Sequence, residues 1–69
     1  MRIGDHVTAI VSMVEVATGT IIGMETNAAI VSFPSHRPFS IPESQMIPVR
    51  PNTWRVFFNA KSDLAEGKI

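Results

Sequence analysis

The stretch that decides the fold class is residues 20–33, which read TIIGMETNAAIVSF. Two runs rich in β-branched residues, 20–24 and 28–33, flank a short polar segment at 25–27. Such runs on either side of a polar turn are typical of a β-hairpin. Gly23 lies inside the first run, where a glycine indicates a kink or a close approach of another backbone. The stretch therefore predicts two paired antiparallel strands.

The segment before the hairpin also favours extended structure. Residues 5–16 contain four valines, an isoleucine and a threonine, which are strand-forming residue types. The alternation of apolar and polar residues breaks at 9–11, which indicates a bend, a bulge or a loop. The segment therefore predicts either one strongly curved strand or two pieces. Thr18-Gly19 is a turn signal before the hairpin.

Short elements follow the hairpin. Residues 34–38 (PSHRP) form a loop, since two prolines fix φ and lack N–H donors. A fourth strand is predicted at 39–41, one 3₁₀ turn at 42–46 and a last edge strand at 47–49. Residues 3–49 thus predict an all-β domain of about five short strands, a pattern typical of small sheets and barrels.

Two interpretations of residues 50–69 stay open. A single helix would place apolar side chains on one face, namely Trp54, Phe57, Phe58, Leu64 and Ala65. Alternatively, a strand at 54–58 precedes a short helix that is capped by Ser62, runs to Glu66 and stops at Gly67. The aromatic and β-branched residues at 54–58 favour the second interpretation.

Composition excludes several classes of protein. The chain has 69 residues, no cysteine and a formal net charge of zero, which argue against a disulfide framework, a thiolate metal site and a strongly basic nucleic-acid clamp. Residues 1–6 do not resemble a signal peptide, and no apolar run reaches the roughly 20 residues of a membrane span. We expect a cytoplasmic protein without membrane contact. A core this small stabilises a monomer by only about 3–5 kcal/mol, which favours oligomerisation.

The spaced elements resemble the SH3-like small β-barrel, including the KOW and Tudor families. The matching pattern is Gly4-Asp5-x-Val7, Gly19-x-Ile21-x-Gly23, Ala29-x-Val31-x-Phe33, Phe39-x-Ile41-Pro42 and Met46-x-Pro48-Val49. The resemblance implies a five-stranded SH3-like barrel at 1–50, with the 3₁₀ turn before its last strand. Residues 51–69 then form a C-terminal aromatic extension that packs on the barrel or on a neighbouring subunit.

A weaker similarity is to the plasmid-borne type II dihydrofolate reductases, short SH3-like chains that form a tetramer around one pore. Residues 4–7 (GDHV) and 19–23 (GTIIG) carry it. At 39–42 this chain has Phe-Ser-Ile-Pro where that family has Val-Gln-Ile-Tyr, so only Ile41 matches. The resemblance implies self-association. A pore-type reductase with Ser40 and Ile41 lining its site is the third functional hypothesis.

The leading hypothesis is a non-enzymatic interaction or assembly module that binds its own copies or another protein. Its contact residues are predicted to be Trp54, Phe57 and Phe58 as apolar anchors, with His36 and Arg37 as a polar loop. Large aromatic side chains of this kind dominate the binding energy of many interfaces. The very small core leaves little room to bury all three rings.

The second hypothesis is a nucleic-acid-binding barrel, in which four cations contact phosphates: Arg37, Arg50, Arg55 and Lys61. No catalytic residue, metal ligand or cofactor is predicted, because the two histidines, His6 and His36, belong to no ligand motif. Asp5, which follows Gly4, is interpreted as a residue that stabilises a turn.

Overall fold

The computed structural model describes all residues, 1–69. The chain forms six strands and one short α-helix, and a 3₁₀ turn at Glu43–Gln45 precedes the fifth strand. The elements are β1 (His6–Val11), β2 (Val14–Glu25), β3 (Ala28–Ser32), β4 (Phe39–Pro42), β5 (Ile47–Arg50), β6 (Thr53–Phe58) and α1 (Lys61–Glu66). The domain is therefore dominated by β structure, as predicted.

The six strands form one mixed sheet in the order β4-β3-β2-β1-β6-β5. Four of its five ladders are antiparallel, and the β1–β6 ladder is parallel. The predicted five-stranded barrel is wrong: the sheet is open, with β4 and β5 at its two edges. The physical reason is that β6, predicted as part of an extension, occupies the place between β1 and β5. Strand spacing indicates where strands lie but not which strands pair.

The hairpin predicted at 20–33 is present as the second half of β2, a two-residue turn and β3. The ladder shifts register between Ile21 and Gly23, so that Gly23 lies opposite Ile30. A Cβ atom on Gly23 would lie 3.2 Å from Cδ1 of Ile30. The register shift confirms the kink predicted at this glycine, whereas the atoms that approach it closely belong to the Ile30 side chain and not to another backbone. The break in alternation at 9–11 also coincides with a register shift between Ala9 and Ile10.

The first reversal of the chain lies at Ser12-Met13, between β1 and β2. Both residues have positive φ, 51° and 65°, as the two central residues of a type I′ turn do. The turn predicted at Thr18-Gly19 is wrong, because both residues lie within β2. The interpretation of residues 5–16 as two pieces is confirmed, but Ser and Met are not the usual residues of such a turn, so the sequence does not mark its position.

Gly19 serves close packing instead of a turn. It is buried opposite Val7, and a Cβ atom there would lie 2.6 Å from the carbonyl oxygen of Ser32. The same atom would lie 2.7 Å from Cδ1 of Phe33. Only glycine leaves room for the Ser32 carbonyl and the Phe33 ring to lie this close to the backbone of β2.

The core lies on the inner face of the curved sheet. It comprises Val7, Ala9, Val11, Ile21, Ala29, Val31, Phe33, Ile41, Met46, Val56, Phe58 and Leu64. Three rings pack together within it: the Phe33 centroid lies 5.9 Å from that of Phe39 and 6.4 Å from that of Phe58. Phe39 and Phe58 are 6.2 Å apart and nearly perpendicular, an arrangement that aromatic pairs favour.

The α1 helix buries Leu64 against this core. The interpretation as a strand followed by a short helix is confirmed, and so is the stop at Gly67, which has φ +70°. The predicted cap at Ser62 is wrong, because the helix begins at Lys61 and Ala60 precedes it. Since α1 has six residues, no helix of this chain is long and apolar enough to cross a bilayer.

The side chains of β6 alternate between two faces. Val56 and Phe58 point into the core, together with the half-buried Trp54, whereas Arg55 and Phe57 point outward. Phe58 is 6% exposed and Phe57 is 43% exposed. Two adjacent phenylalanines therefore have different physical roles.

The adjacent phenylalanines allow a matched test of this strand. We expect Phe58→Ala to lower the free energy of unfolding by about 3–5 kcal/mol, since it leaves a cavity among the packed rings. That loss is comparable to the whole stability of a domain this small. Phe57→Ala changes the stability of the single chain by less than about 1 kcal/mol. Urea titrations followed by circular dichroism measure both, and equal losses would contradict the alternation of β6.

Candidate interaction surfaces

The three predicted aromatic anchors are not on one surface. Phe57 is exposed on the outer face, while Phe58 is a core residue that packs against Phe33 and Phe39. Trp54 is half-buried at the opposite end of β6 and points to the inner face. Strand alternation places Phe57 and Phe58 on opposite faces of the sheet, and the number of aromatic residues in the segment does not reveal this.

The loop that carries His36 and Arg37 lies beside α1. His36 is half-buried in a depression that it shares with Lys61 and Leu64, and Arg37 is exposed beside the C-terminal end of α1. Neither residue lines a depression together with Phe57 or Trp54. The structure thus places the loop beside α1 and not beside the aromatic residues of β6. The part of this loop in partner binding stays a prediction.

The four predicted phosphate-contacting cations are dispersed. Arg50 lies at the end of β5, and Arg55 lies on the outer face of β6. Lys61 begins α1, and Arg37 lies in the loop beside its other end. No depression of the surface is lined by more than one of the four.

Ser40 and Ile41, the residues of the reductase hypothesis, point to opposite faces of β4. Ile41 is completely buried in the core. Ser40 is exposed on the outer face, where its hydroxyl donates a hydrogen bond of 2.5 Å to Oε1 of Glu25. Nowhere do three or more His, Cys, Asp or Glu side chains come together.

A first candidate surface, the outer patch, is defined by Ile10, Met13, Glu15, Arg55 and Phe57, which line one shallow depression of about 160 Å³. Ile10 lies directly opposite Phe57 in the β1–β6 ladder and opposite Glu15 in the β1–β2 ladder. Met13 is 85% exposed. The patch therefore combines an apolar centre with one acidic and one basic side chain.

One atom of the outer patch lacks a partner. Nε of Arg55 is shielded from solvent and has no hydrogen bond within the chain. A buried polar atom without a partner is uncommon in native proteins, because its desolvation is not compensated.

A second candidate surface, the N-terminal cleft, has a volume of about 580 Å³. Its polar and aromatic lining comes from Arg2, Asp5, Arg50, Asn52 and Trp54, and Pro48 lies beside them. These residues come from the N-terminus, β5, the β5–β6 turn and β6, and the β1–β6 ladder brings them together. Sequence reasoning missed Arg2, because no local pattern relates it to a residue 48 positions later.

Asp5 organises the floor of the cleft. Its Oδ2 accepts a hydrogen bond of 2.9 Å from the backbone N–H of Arg2 and one of 3.1 Å from the indole Nε1–H of Trp54. The first bond confirms that Asp5 stabilises a turn. The Trp54 indole, and then the Arg2 N–H, stabilise the charged carboxylate and hold the pKa of Asp5 below its ordinary value.

Comparisons with protein-family models, with curated proteins and with solved structures find no match to this chain. What the molecule does must therefore be argued from its own surfaces.

The hydrogen bond between Asp5 and Trp54 predicts a specific pH dependence. A carboxyl whose pKa is lower in the folded state stabilises the fold fully above its unfolded pKa of about 3.9. This stabilisation is lost as the pH falls through the folded pKa. We expect Trp54→Phe, which lacks the donor, to lose less stability than the wild type between pH 7 and pH 3.

Urea midpoints measured by circular dichroism at both pH values test this expectation. Ser40→Ala is the control, because it removes a hydrogen bond to a different carboxylate, Glu25, and leaves Asp5 unchanged. Equal acid losses in the wild type and Trp54→Phe would show that the indole does not lower the pKa of Asp5.

Proposed function

We propose that this protein is a non-enzymatic assembly module that binds a second copy of itself through the outer patch. The observation that supports this proposal is an exposed apolar surface, Met13 and Phe57, flanked by Glu15 and Arg55. Apolar centres with charged residues at the rim are typical of protein interfaces.

The charges of the outer patch favour a second copy as the partner. In a dimer with two-fold symmetry the same patch meets itself, so every contact occurs twice. Glu15 of one copy then faces the half-buried Arg55 of the other, so that opposite charges meet twice across the interface. Because the formal net charge is zero, two copies approach without overall repulsion.

The backbone conformation of Met13 destabilises the fold of the single chain. Its φ of 65° is a left-handed conformation, which disfavours a residue with a side chain by about 1–2 kcal/mol. A glycine would form the same turn without this strain. A strained and exposed apolar residue is explained if its side chain is buried in an interface.

The small size of the domain points the same way. Its core contains 12 residues, and large apolar side chains remain exposed at the outer patch and beside it, namely Met13, Val14 and Phe57. Burial of such surface between copies adds stability that a 69-residue chain cannot gain alone.

Charge reversal tests the proposed dimer. Sedimentation velocity measures association of the wild type, of Glu15→Arg and of Arg55→Glu over a range of concentrations. We expect the wild type to dimerise and each variant alone to stay monomeric, since like charges then face each other across the interface. An equimolar mixture of the two variants restores the dimer, because the side chains at positions 15 and 55 that meet across the interface again carry opposite charges.

Lys68→Glu is the matched control, since it reverses an exposed cation outside the outer patch and should dimerise as the wild type does. A wild type that remains monomeric at millimolar concentration contradicts the proposal. So does a mixture of the two variants that fails to associate.

Met13→Gly separates the cost to the fold from the gain in assembly. We expect its free energy of unfolding at low protein concentration to rise by about 1 kcal/mol, since the turn loses its strain. Its dimer dissociation constant rises at least about tenfold, because two thioether side chains no longer enter the interface. Urea titration and sedimentation measure the two effects. A variant with unchanged association would show that Met13 lies outside the contact.

A further inference from the structure

We propose that the N-terminal cleft binds a nucleoside monophosphate unit, with its base against Trp54 and its phosphate between Arg2 and Arg50. This inference concerns a surface separate from the outer patch and does not depend on self-association. No residue is common to the two surfaces.

The aromatic wall of the cleft is held in place before any ligand arrives. The Trp54 indole is anchored by its hydrogen bond to Asp5, and Pro48 lies directly opposite Trp54 in the β5–β6 ladder. Trp54 is half-buried and lines the cleft. A ring with fixed orientation offers a stacking surface at low entropic cost, and every nucleobase has a flat face to stack on it.

Two free guanidinium groups supply the charge. Arg2 and Arg50 are both exposed and line the cleft, and the ion pair in this structure is between Lys68 and Glu66, elsewhere on the chain. Arginine recognises phosphate through paired N–H donors. Among the lining residues, Asp5 carries a negative charge, which repels an anion. Its side chain is 8% exposed and already accepts two hydrogen bonds.

The remaining features suit a nucleotide in size and polarity. The volume of about 580 Å³ lies within the roughly 300–1,000 Å³ typical of small-molecule sites. Asn52 is an exposed residue of the lining whose amide both donates and accepts hydrogen bonds. Such an amide can pair with the polar edge of a base.

The intrinsic fluorescence of Trp54 reports binding directly, since it is the only tryptophan. We expect adenosine monophosphate and a short single-stranded oligoadenylate each to change the emission saturably at low salt. Adenosine and inorganic phosphate, which each carry half of the recognition, bind at least tenfold more weakly. Arg2→Ala and Arg50→Ala each weaken nucleotide binding at least fivefold, whereas Arg37→Ala leaves it unchanged. Circular dichroism verifies that each variant is folded.

The two nucleotide probes distinguish the possible sources of the ligand. Tighter binding of the oligoadenylate, with a log–log salt slope near −0.7 for the one phosphate between Arg2 and Arg50, indicates a nucleic-acid strand. Equal affinities indicate a free nucleotide. Absence of saturable change with both probes overturns the proposal, and so does an equal loss in Arg37→Ala. Glu15→Arg retains nucleotide binding, so failure of the dimer proposal and failure of this one are separable.

Discussion

The parallel pairing of β1 with β6 is the constraint on which the rest of the structure depends. It sets Val7 opposite Trp54, Ile10 opposite Phe57 and Val11 opposite Phe58. Because side chains alternate along a strand, a shift of one residue would move Phe58 to solvent and Phe57 into the core. The burial of Phe58 against two other rings, available in only one of the two registers, stabilises the observed pairing.

The same pairing creates both candidate surfaces from one short strand. On its outer face Phe57 and Arg55 join residues of the β1–β2 turn region to form the outer patch. On its inner face, at the other end, Trp54 meets Asp5 at the N-terminal cleft. One strand of six residues therefore contributes to the core, to the surface proposed for self-association and to a cleft lined by Trp54 and two arginines.

Small residues make this arrangement possible. Gly19 leaves room for the Ser32 carbonyl and the Phe33 ring beside β2. Gly67 allows the chain after α1 to lie against the Phe39 ring. A Cβ atom at Gly67 would lie 3.2 Å from Cβ of Phe39. The three rings are therefore enclosed by backbone at two sides, and the curved sheet buries a core although its edges do not close.

Local features could be predicted from the sequence because their causes are local. The hairpin at 20–33, the 3₁₀ turn after Pro42 and the helix stop at Gly67 follow from propensity, proline geometry and glycine. The turn at Ser12-Met13 carried no such signal, because neither residue type is usual at positive φ; the pairing of Val11 with Val14 closes this turn.

Strand partners and both surfaces were decided only by the tertiary structure. Placing β6 beside β1 requires the 41 residues from 12 to 52 to form the crossover between them, a long-range pairing that no window of sequence reports. The sequence identified Trp54, Phe57 and Arg50 as candidates by residue type. Because both candidate surfaces depend on this ladder, the sequence could not show that Trp54 lies with Arg50 and that Phe57 lies elsewhere.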